Sequence, residues 1–269
     1  MSYDWITFTT DYGLDDGFVA ACVGVIATIA PAARVLDVTH SVPARDIRRG
    51  ATVLAQTVPY LPPSVHLAVV DPGVGTARTP VAIVAANGLL VGPDNGLLVP
   101  AAEALGGITA AYELTEPRYR LPTVSATFHG RDVFAPAAAH LAAGIRAELF
   151  GPAIDPAGLV RLPKPRILVE PGELTTELLA ADRFGNLQLA ARLADLAAFG
   201  AMPGETVQVR VGDRTGIGTV GRTFADVPPG DTVVFVDSAG HVAIAVNGGS
   251  AADRLGCTTG DSVVLRPAR

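Results

Sequence analysis

The stretch at residues 65–78 constrains the chain most, because it joins a buried strand to a tight polar turn. Its first six residues, VHLAVV, are largely apolar and β-branched, which indicates a strand. Pro72 ends this strand, while Gly73 and Gly75 let the backbone bend and approach a ligand closely. In open α/β sheets ligands bind at the carboxyl ends of strands. Asp71 lies at that position, so the stretch predicts an active-site loop.

Strands and helices alternate along the first part of the chain. The pattern predicts strands at 6–9, 35–38, 65–70 and 81–85, and helices at 17–29, 48–58 and 131–143. Asp15 or Asp16 is expected to cap the first helix, and the Asn87-Gly88 pair predicts a hairpin turn. This alternation predicts an N-terminal α/β domain whose sheet is mostly parallel and covered by helices.

The composition changes at the segment LPKP, residues 162–165, which is typical of a linker. We therefore predict two domains, at 1–162 and 166–269. Beyond the linker, short apolar runs at 207–211, 232–236 and 242–246 are separated by Gly, Pro and Asp turns. That spacing predicts a smaller, all-β C-terminal domain, an antiparallel sandwich or barrel, with one helix near 191–199.

Charge and composition exclude several classes of function. The chain has 269 residues, 49% of them hydrophobic, and a formal charge of -6 without a basic block, so we expect no binding to nucleic acid. We expect neither a signal peptide nor a membrane span, because the first residues lack a basic start and the apolar runs are short. The two cysteines, Cys22 and Cys257, show no metal spacing. A soluble cytoplasmic protein is the expectation.

Four polar features allow both a functional and a structural interpretation. Asp11 could accept hydrogen bonds from a sugar diol or form an Asx turn. Asp71 and Arg78 could act on a substrate or form a local ion pair. His129, at the start of a predicted helix, could exchange protons near neutral pH or pack as a hydrogen-bonded side chain. The segment DRFGN, residues 182–186, could bind a base or form a tight hairpin. No known metal or serine-nucleophile motif occurs.

The ordered set of motifs resembles one family, the S-adenosyl-L-methionine (SAM) hydrolases, also called SAM hydroxide adenosyltransferases, which are related to fluorinating and chlorinating enzymes. The matching segments are TTDYG (9–13), DVTHSV (37–42), VDPGVGTAR (70–78), GPDNGLL (92–98), TFHGRDVFAPAAAHLA (127–142) and DRFGN (182–186). The resemblance covers nearly the whole chain. It implies an N-terminal α/β domain, a smaller β domain, and homotrimers whose sites lie between subunits.

The resemblance also implies a reaction and a set of site residues. SAM would be the substrate and no cofactor would be needed. Water or hydroxide would attack the ribose C5′ and release adenosine and L-methionine. The water-handling residues would be Asp71, Arg78 and His129, with Arg78 favouring hydroxide and the other two holding or accepting its proton. The expected substrate contacts are Asp11 to the ribose, Asp182 and Asn186 to methionine with Phe184 nearby, Ser238 to the carboxylate, and backbone near Asn247 and Gly248 to adenine.

Departures from the halogenating relatives favour water as the nucleophile. Those that use fluoride have a serine where this chain has Gly130 and a tyrosine where it has Asp71, and they carry an extra loop near residues 85–88. An anionic Asp71 would repel a halide. Arginines in the halogenases correspond to Ala239 and Val246 here. This difference concerns the contacts to the methionine carboxylate and adenine, not the choice of nucleophile. Halide transfer to the same carbon and a non-enzymatic adenosine- or SAM-binding protein are the alternatives.

Overall fold

The computed structural model describes residues 2–268. The chain divides into two compact units, one ending at Leu162 and the other beginning at Pro163.

The first unit contains a mixed seven-stranded sheet. Its strands are β1 (Trp5–Thr10), β2 (Arg34–Thr39), β3 (Val65–Val69), β4 (Pro80–Ala85), β5 (Gly88–Pro93), β6 (Ile108–Glu113) and β7 (Ala153–Ile154). In the order β2-β1-β3-β5-β4-β6-β7, the pairs among β2, β1, β3 and β5 are parallel and the remaining three are antiparallel. The predicted mostly parallel sheet is therefore correct for one side only, because the tight turn at Asn87 and Gly88 reverses the chain.

Helices cover both faces of this sheet. They are α1 (Phe18–Ile29), α2 (Ile47–Thr57), α3 (Val99–Ala104) and α4 (Ala135–Ala142). Successive residues of β3 point to opposite faces. Leu67 belongs to the apolar cluster that includes residues of α1 and α4, whereas Ala68 belongs to the cluster formed with α2 and α3. Burial on both faces explains why the strand is so apolar, and it leaves only the strand ends available to a ligand.

Two local predictions in this unit are corrected. Gly17, not Asp15 or Asp16, precedes α1, and no side chain caps the helix, because both acids are exposed and lie before its first turn. The helix predicted at 131–143 begins instead as a wide π-turn, Gly130–Phe134, and becomes α-helical only from Ala135. Pro136 has no N–H to donate to the Asp132 carbonyl; that carbonyl accepts from Leu121 N at 2.9 Å.

The second unit is a β-domain with two short helices. Its strands are β8 (Ile167–Glu170), β9 (Glu173–Ala181), β10 (Leu187–Arg192), β11 (Thr206–Val211), β12 (Arg214–Val220), β13 (Thr232–Val236), β14 (His241–Val246) and β15 (Ser262–Pro267), and the helices are α5 (Leu193–Phe199) and α6 (Ala251–Leu255). The order is β8-β9-β15-β11-β12-β13-β14-β10. Because β10 also pairs with β9, seven strands close into a barrel.

Alternating side chains fill this barrel. Leu174 and Leu178 on β9 and Val207 and Val209 on β11 are buried in one cluster, whereas their neighbours in sequence face outward. The strands described here pair antiparallel except for β12 with β13. None of the helices within residues 2–268 is both long and apolar enough to cross a membrane.

Candidate active site

The candidate site lies at the carboxyl ends of β1 and β3. These parallel neighbours are in register, with Thr10 opposite Val69. The loops that follow them therefore bring Asp11 and Asp71 to the same edge of the sheet. A cleft of about 410 Å³ opens there, and its lining includes both acids together with residues 127–130.

Asp71 and Arg78 form a close ion pair across the glycine turn. Arg78 Nε lies 3.0 and 2.9 Å from the two Asp71 carboxylate oxygens, and Nη2 lies 2.5 Å from Oδ2. The side chains are only 6% and 10% exposed, respectively. The guanidinium also lies 5.0 Å from the ring centroid of Phe134. The pair is thus largely shielded from water. In such surroundings a charge interaction is stronger than on an open surface.

His129 joins this pair through Arg78. Its Nδ1 lies 2.8 Å from Arg78 Nη2. A guanidinium only donates hydrogen bonds, so Nδ1 must accept, and a neutral His129 carries its proton on Nε2. Burial first, and then the charge of Arg78, lower the pKa of His129. The structure thus brings Asp71, Arg78 and His129 into one hydrogen-bonded group, with Arg78 in the middle.

This arrangement predicts the acid limb of activity. Because the folded protein disfavours protonated His129, the imidazole stays neutral until the pH falls below its ordinary pKa of about 6.5. Protonation then removes the acceptor for Arg78, so turnover should fall only below that pH. A profile of kcat/KM against pH measures the limb, and His129→Gln, which cannot titrate, serves as the comparison. A limb centred above pH 6.5 in the wild type would contradict the assignment.

Asp11 lines the same cleft and is held by an unusual backbone. Its Oδ2 accepts a hydrogen bond from Arg45 N at 2.9 Å. Arg45 has a φ of 68°, in the left-handed region that side-chain-bearing residues rarely adopt. Such strain concentrates at functional sites. The contact fixes one carboxylate oxygen of Asp11 from the backbone side, which orients the group within the cleft.

Several aromatic cleft residues were not among the sequence-based candidates. Tyr12, Phe18 and Phe128 pack edge to face, with ring centroids 5.2 to 6.1 Å apart. All three line the cleft. Two of them lie inside the motifs TTDYG and TFHGRD, next to candidates that were singled out. Their position in those motifs could have identified Tyr12 and Phe128 as site residues. The approach of Phe18 to the cleft depends instead on the path of the chain after β1.

In the second unit, residues 182–186 form the tight hairpin loop between β9 and β10. Asp182 Oδ1 accepts from Phe184 N at 2.8 Å and from Asn186 N at 2.9 Å, while Oδ2 accepts from Asn186 Nδ2 at 2.8 Å. Gly185 approaches Ser250, since an added β-carbon would lie 2.6 Å from Ser250 Cβ. The loop leaves the Phe184 ring 71% exposed, so it presents an aromatic face on a locally braced backbone.

The remaining candidates lie at the two ends of β14. Ser238 is in the turn before this strand, whereas Asn247 and Gly248 follow it. Five steps of about 3.4 Å separate the first and last residues of the strand, so a ligand touching both ends must be extended. The Asn247 N–H donates to Asp231 O at 2.9 Å, and its carbonyl accepts from Gly230 N at 2.7 Å. Gly248 has a φ of 73°. Asn247 thus already uses its backbone groups within the barrel.

The first unit and its cleft define an α/β enzyme class that positions a small reactant at strand ends. Within residues 2–268 no cluster of three or more His, Cys, Asp or Glu side chains could hold a metal ion. The chain belongs to the SAM hydroxide adenosyltransferase family: residues 6–151 match its N-terminal domain and residues 176–264 its C-terminal domain.

Individual relatives agree with this membership. The chain is 60% identical over 262 residues to a Salinispora arenicola protein named (R)-S-adenosyl-L-methionine hydrolase, with 97% of each chain covered. It is 31% identical over 272 residues to a fluorinase from an Actinoplanes species, with 90% of each covered. A solved structure of an uncharacterized conserved protein from Thermotoga maritima matches at a TM-score of 0.91 and 34% identity, covering 97% of this chain and 99% of that one.

Proposed function

We propose that the protein hydrolyses SAM to adenosine and L-methionine by attack of water or hydroxide at the ribose C5′. The observation that carries this proposal is the group formed by Asp71, Arg78 and His129 in the cleft, where one guanidinium contacts both other side chains. The names of relatives such as the Salinispora protein supply the substrate class.

The reaction needs a nucleophile rather than an acid. The water oxygen forms a bond to C5′ while the C5′–S bond breaks. The electron pair of the C5′–S bond goes to sulfur. Methionine then leaves as a neutral thioether, so the leaving group takes no proton. The only proton to be moved is the one lost by the attacking water. The protein therefore has to orient that water in line with the breaking bond and accept its proton.

We assign these tasks to the three residues on the basis of their contacts. His129 Nδ1 is occupied by Arg78, so His129 holds the water through Nε2–H and is not the acceptor of its proton. A carboxylate offers about four lone-pair directions, and Asp71 Oδ1 has one contact with Arg78 while Oδ2 has two. The single contact at Oδ1 leaves a lone pair of that oxygen for the water, so Asp71 is the proton acceptor. The positive charge of Arg78 favours the hydroxide character that develops.

The substrate contacts are proposed on the family resemblance together with cleft geometry. Asp11, at the strand edge beside Asp71, binds the ribose hydroxyls. Residues of the β-domain bind the rest of SAM: Asp182, Phe184 and Asn186 with Ser238 toward methionine, and the backbone near Asn247 and Gly248 toward adenine. The proposal requires no cofactor, because SAM is the substrate. It also includes a cytoplasmic homotrimer with sites between subunits.

The relatives' names narrow the substrate further. The sulfonium of SAM is a stereocentre, and the Salinispora and Thermus thermophilus proteins are named for its (R) form. We propose the same preference here. With a mixture of both sulfonium epimers, the (R) epimer should disappear first, which NMR of the S-methyl resonance follows directly. Equal consumption of the two epimers would refute the preference while leaving hydrolysis intact.

Halide transfer is the competing activity, since fluorinases are also similar to this chain. Two observations oppose it. Asp71 places a carboxylate in the cleft, which repels an anion. Gly130 carries no side chain, and an added β-carbon would overlap the Tyr12 hydroxyl oxygen. A hydroxyl-bearing residue at 130 therefore does not fit this cleft as it is.

Isotope labelling decides between these activities. We expect purified protein incubated with SAM in oxygen-18 water to give adenosine labelled at the 5′ oxygen, plus unlabelled methionine, by chromatography and mass spectrometry. Added fluoride or chloride should leave the product unchanged. A 5′-halogenated adenosine would identify a halogenase, and bound but unchanged SAM would identify a binding protein.

A further inference from the structure

The Tyr12 phenol lies directly against Gly130 at the wall of the cleft. A β-carbon built on Gly130 would come within 3.1 Å of Tyr12 Cζ and 3.4 Å of Cε2, and it would overlap the hydroxyl oxygen. Gly130 has no positive φ, so its backbone would accept alanine. The missing side chain at residue 130 is thus explained by space rather than by backbone conformation, and the Tyr12 hydroxyl occupies that space.

Both the backbone and the ring of Tyr12 are held in place. The Tyr12 backbone N–H donates to Thr10 Oγ1 at 3.2 Å, and this Thr10 hydroxyl in turn lies 2.8 Å from His40 Nδ1. The ring packs edge to face against Phe18 and Phe128. These contacts hold the backbone and the ring of Tyr12 respectively, so the phenol oxygen has a defined place in the cleft wall.

The phenol is a neutral hydroxyl in an ionic neighbourhood. Burial first, and then nearby acidic groups including Asp11 and Asp71, raise the pKa of Tyr12 above its ordinary value. The phenol therefore keeps its proton at neutral pH. Tyr12 lines the cleft together with Asp71 and His129, yet neither the ion pair nor the histidine contact uses it.

We propose that Tyr12 binds the attacking water: its hydroxyl forms one wall of the nucleophile pocket and hydrogen-bonds to that water, and Gly130 is the residue that makes room for it. This inference rests on the proposed hydrolysis of SAM. Asp71 and His129 contribute the proton acceptor and one donor. Tyr12 adds a contact from a different direction, which fixes the water in line with C5′. The pair Tyr12 and Gly130 thereby determines which nucleophile the cleft accepts.

A double-mutant cycle of Tyr12→Phe and Gly130→Ala tests the contact and the role together. Tyr12→Phe removes only the oxygen, and it should lower kcat about tenfold, as expected for one lost hydrogen bond, with KM unchanged. Gly130→Ala should lower kcat about a hundredfold, because the phenol is displaced. In the Tyr12→Phe background the same alanine should cost less than about threefold, since the closest remaining contact is 3.1 Å.

Tyr3→Phe is the matched control. Tyr3 also packs against the core of the first unit, and burial raises its pKa, but it is not among the cleft-lining residues. Its kcat should equal that of the wild type. Thermal unfolding of all variants supplies a readout that does not depend on turnover: Gly130→Ala should lower the Tm in the wild type and much less in the Tyr12→Phe background.

The possible failures are distinguishable. If Tyr12→Phe retains full kcat while the wild type hydrolyses SAM, the water contact is wrong but the proposed function stands. If Gly130→Ala has the same effect in both backgrounds on kcat and on Tm, the contact itself is wrong. A wild type that binds SAM without turning it over overturns the proposed function and this inference with it.

Discussion

Asp71→Asn is expected to lower kcat by about 10²- to 10⁴-fold, the range that a positioned general base contributes. The amide keeps the shape of the carboxylate but cannot accept a proton from water. It also leaves Arg78 without its charged partner in a position where the two side chains are only 6% and 10% exposed. Single-turnover kinetics with SAM measure the chemical step, and equilibrium binding of SAM to the variant measures affinity separately.

The expected pattern is a large loss of kcat with SAM binding retained. Asp213→Asn, a change of the same kind in the exposed turn between β11 and β12, should have wild-type kinetics. Breaking a buried pair costs about 3–5 kcal/mol of stability, so the comparison is made well below the Tm of the variant. Normal turnover by a folded Asp71→Asn protein would exclude Asp71 as the proton acceptor and favour the purely structural ion pair.

The sequence was most informative where chemistry and backbone geometry are local. The run at 65–70 followed by an acid, a proline and two glycines predicts a strand and a functional turn, and both Asp71 and Arg78 belong to that turn. His129 lies 51 positions beyond Arg78. Its approach depends on how α4 packs on the sheet, which is a tertiary property. The family resemblance, not the spacing, joined it to the other two residues.

The sequence could not give the direction of the hydrogen bonds. His129 was expected to hold or accept a proton, and only its contact with Arg78 shows that Nδ1 is an acceptor. Likewise Asp182 allowed a ligand-binding or a hairpin interpretation, and in the structure its oxygens brace the hairpin. Such outcomes depend on side-chain rotamers and on which groups compete for the same acceptor, and a pattern of residue types contains neither.

Long-range strand pairing was the other gap. Apolar runs at 207–211 and 232–236 predicted a sandwich or a barrel without choosing between them. The choice depends on the pairing of β9 with β10, which closes the ring. The hairpin after Asn87 was predicted locally, but its consequence for the sheet was not. The short turn makes β4 antiparallel to β5, and the pairs β4–β6 and β6–β7 are antiparallel as well.

Gly75→Ala should lower kcat about 10²-fold and destabilise the fold by about 1–3 kcal/mol. Gly75 has a φ of 77°, and an added β-carbon would lie 2.5 Å from the Ala126 carbonyl oxygen. This glycine is where the turn between Asp71 and Arg78 touches the segment that leads to His129. Since residues around Ala126 are exposed, that segment can move away, so the main effect is a displaced His129 rather than unfolding.

Gly73→Ala is the matched control, because it makes the same change two residues earlier in the same turn. Gly73 is not among the residues with positive φ, and the nearest atoms to its added β-carbon, on Arg78 and Thr76, lie 3.4 Å away, an ordinary contact. It should therefore change kcat less than about threefold. Equal losses in the two variants would mean that the turn tolerates no side chain at all, and that the approach to Ala126 does not determine the geometry of the site. A loss confined to Gly75→Ala, in a protein that still binds SAM, would show that catalysis depends on how this turn aligns Arg78 with His129.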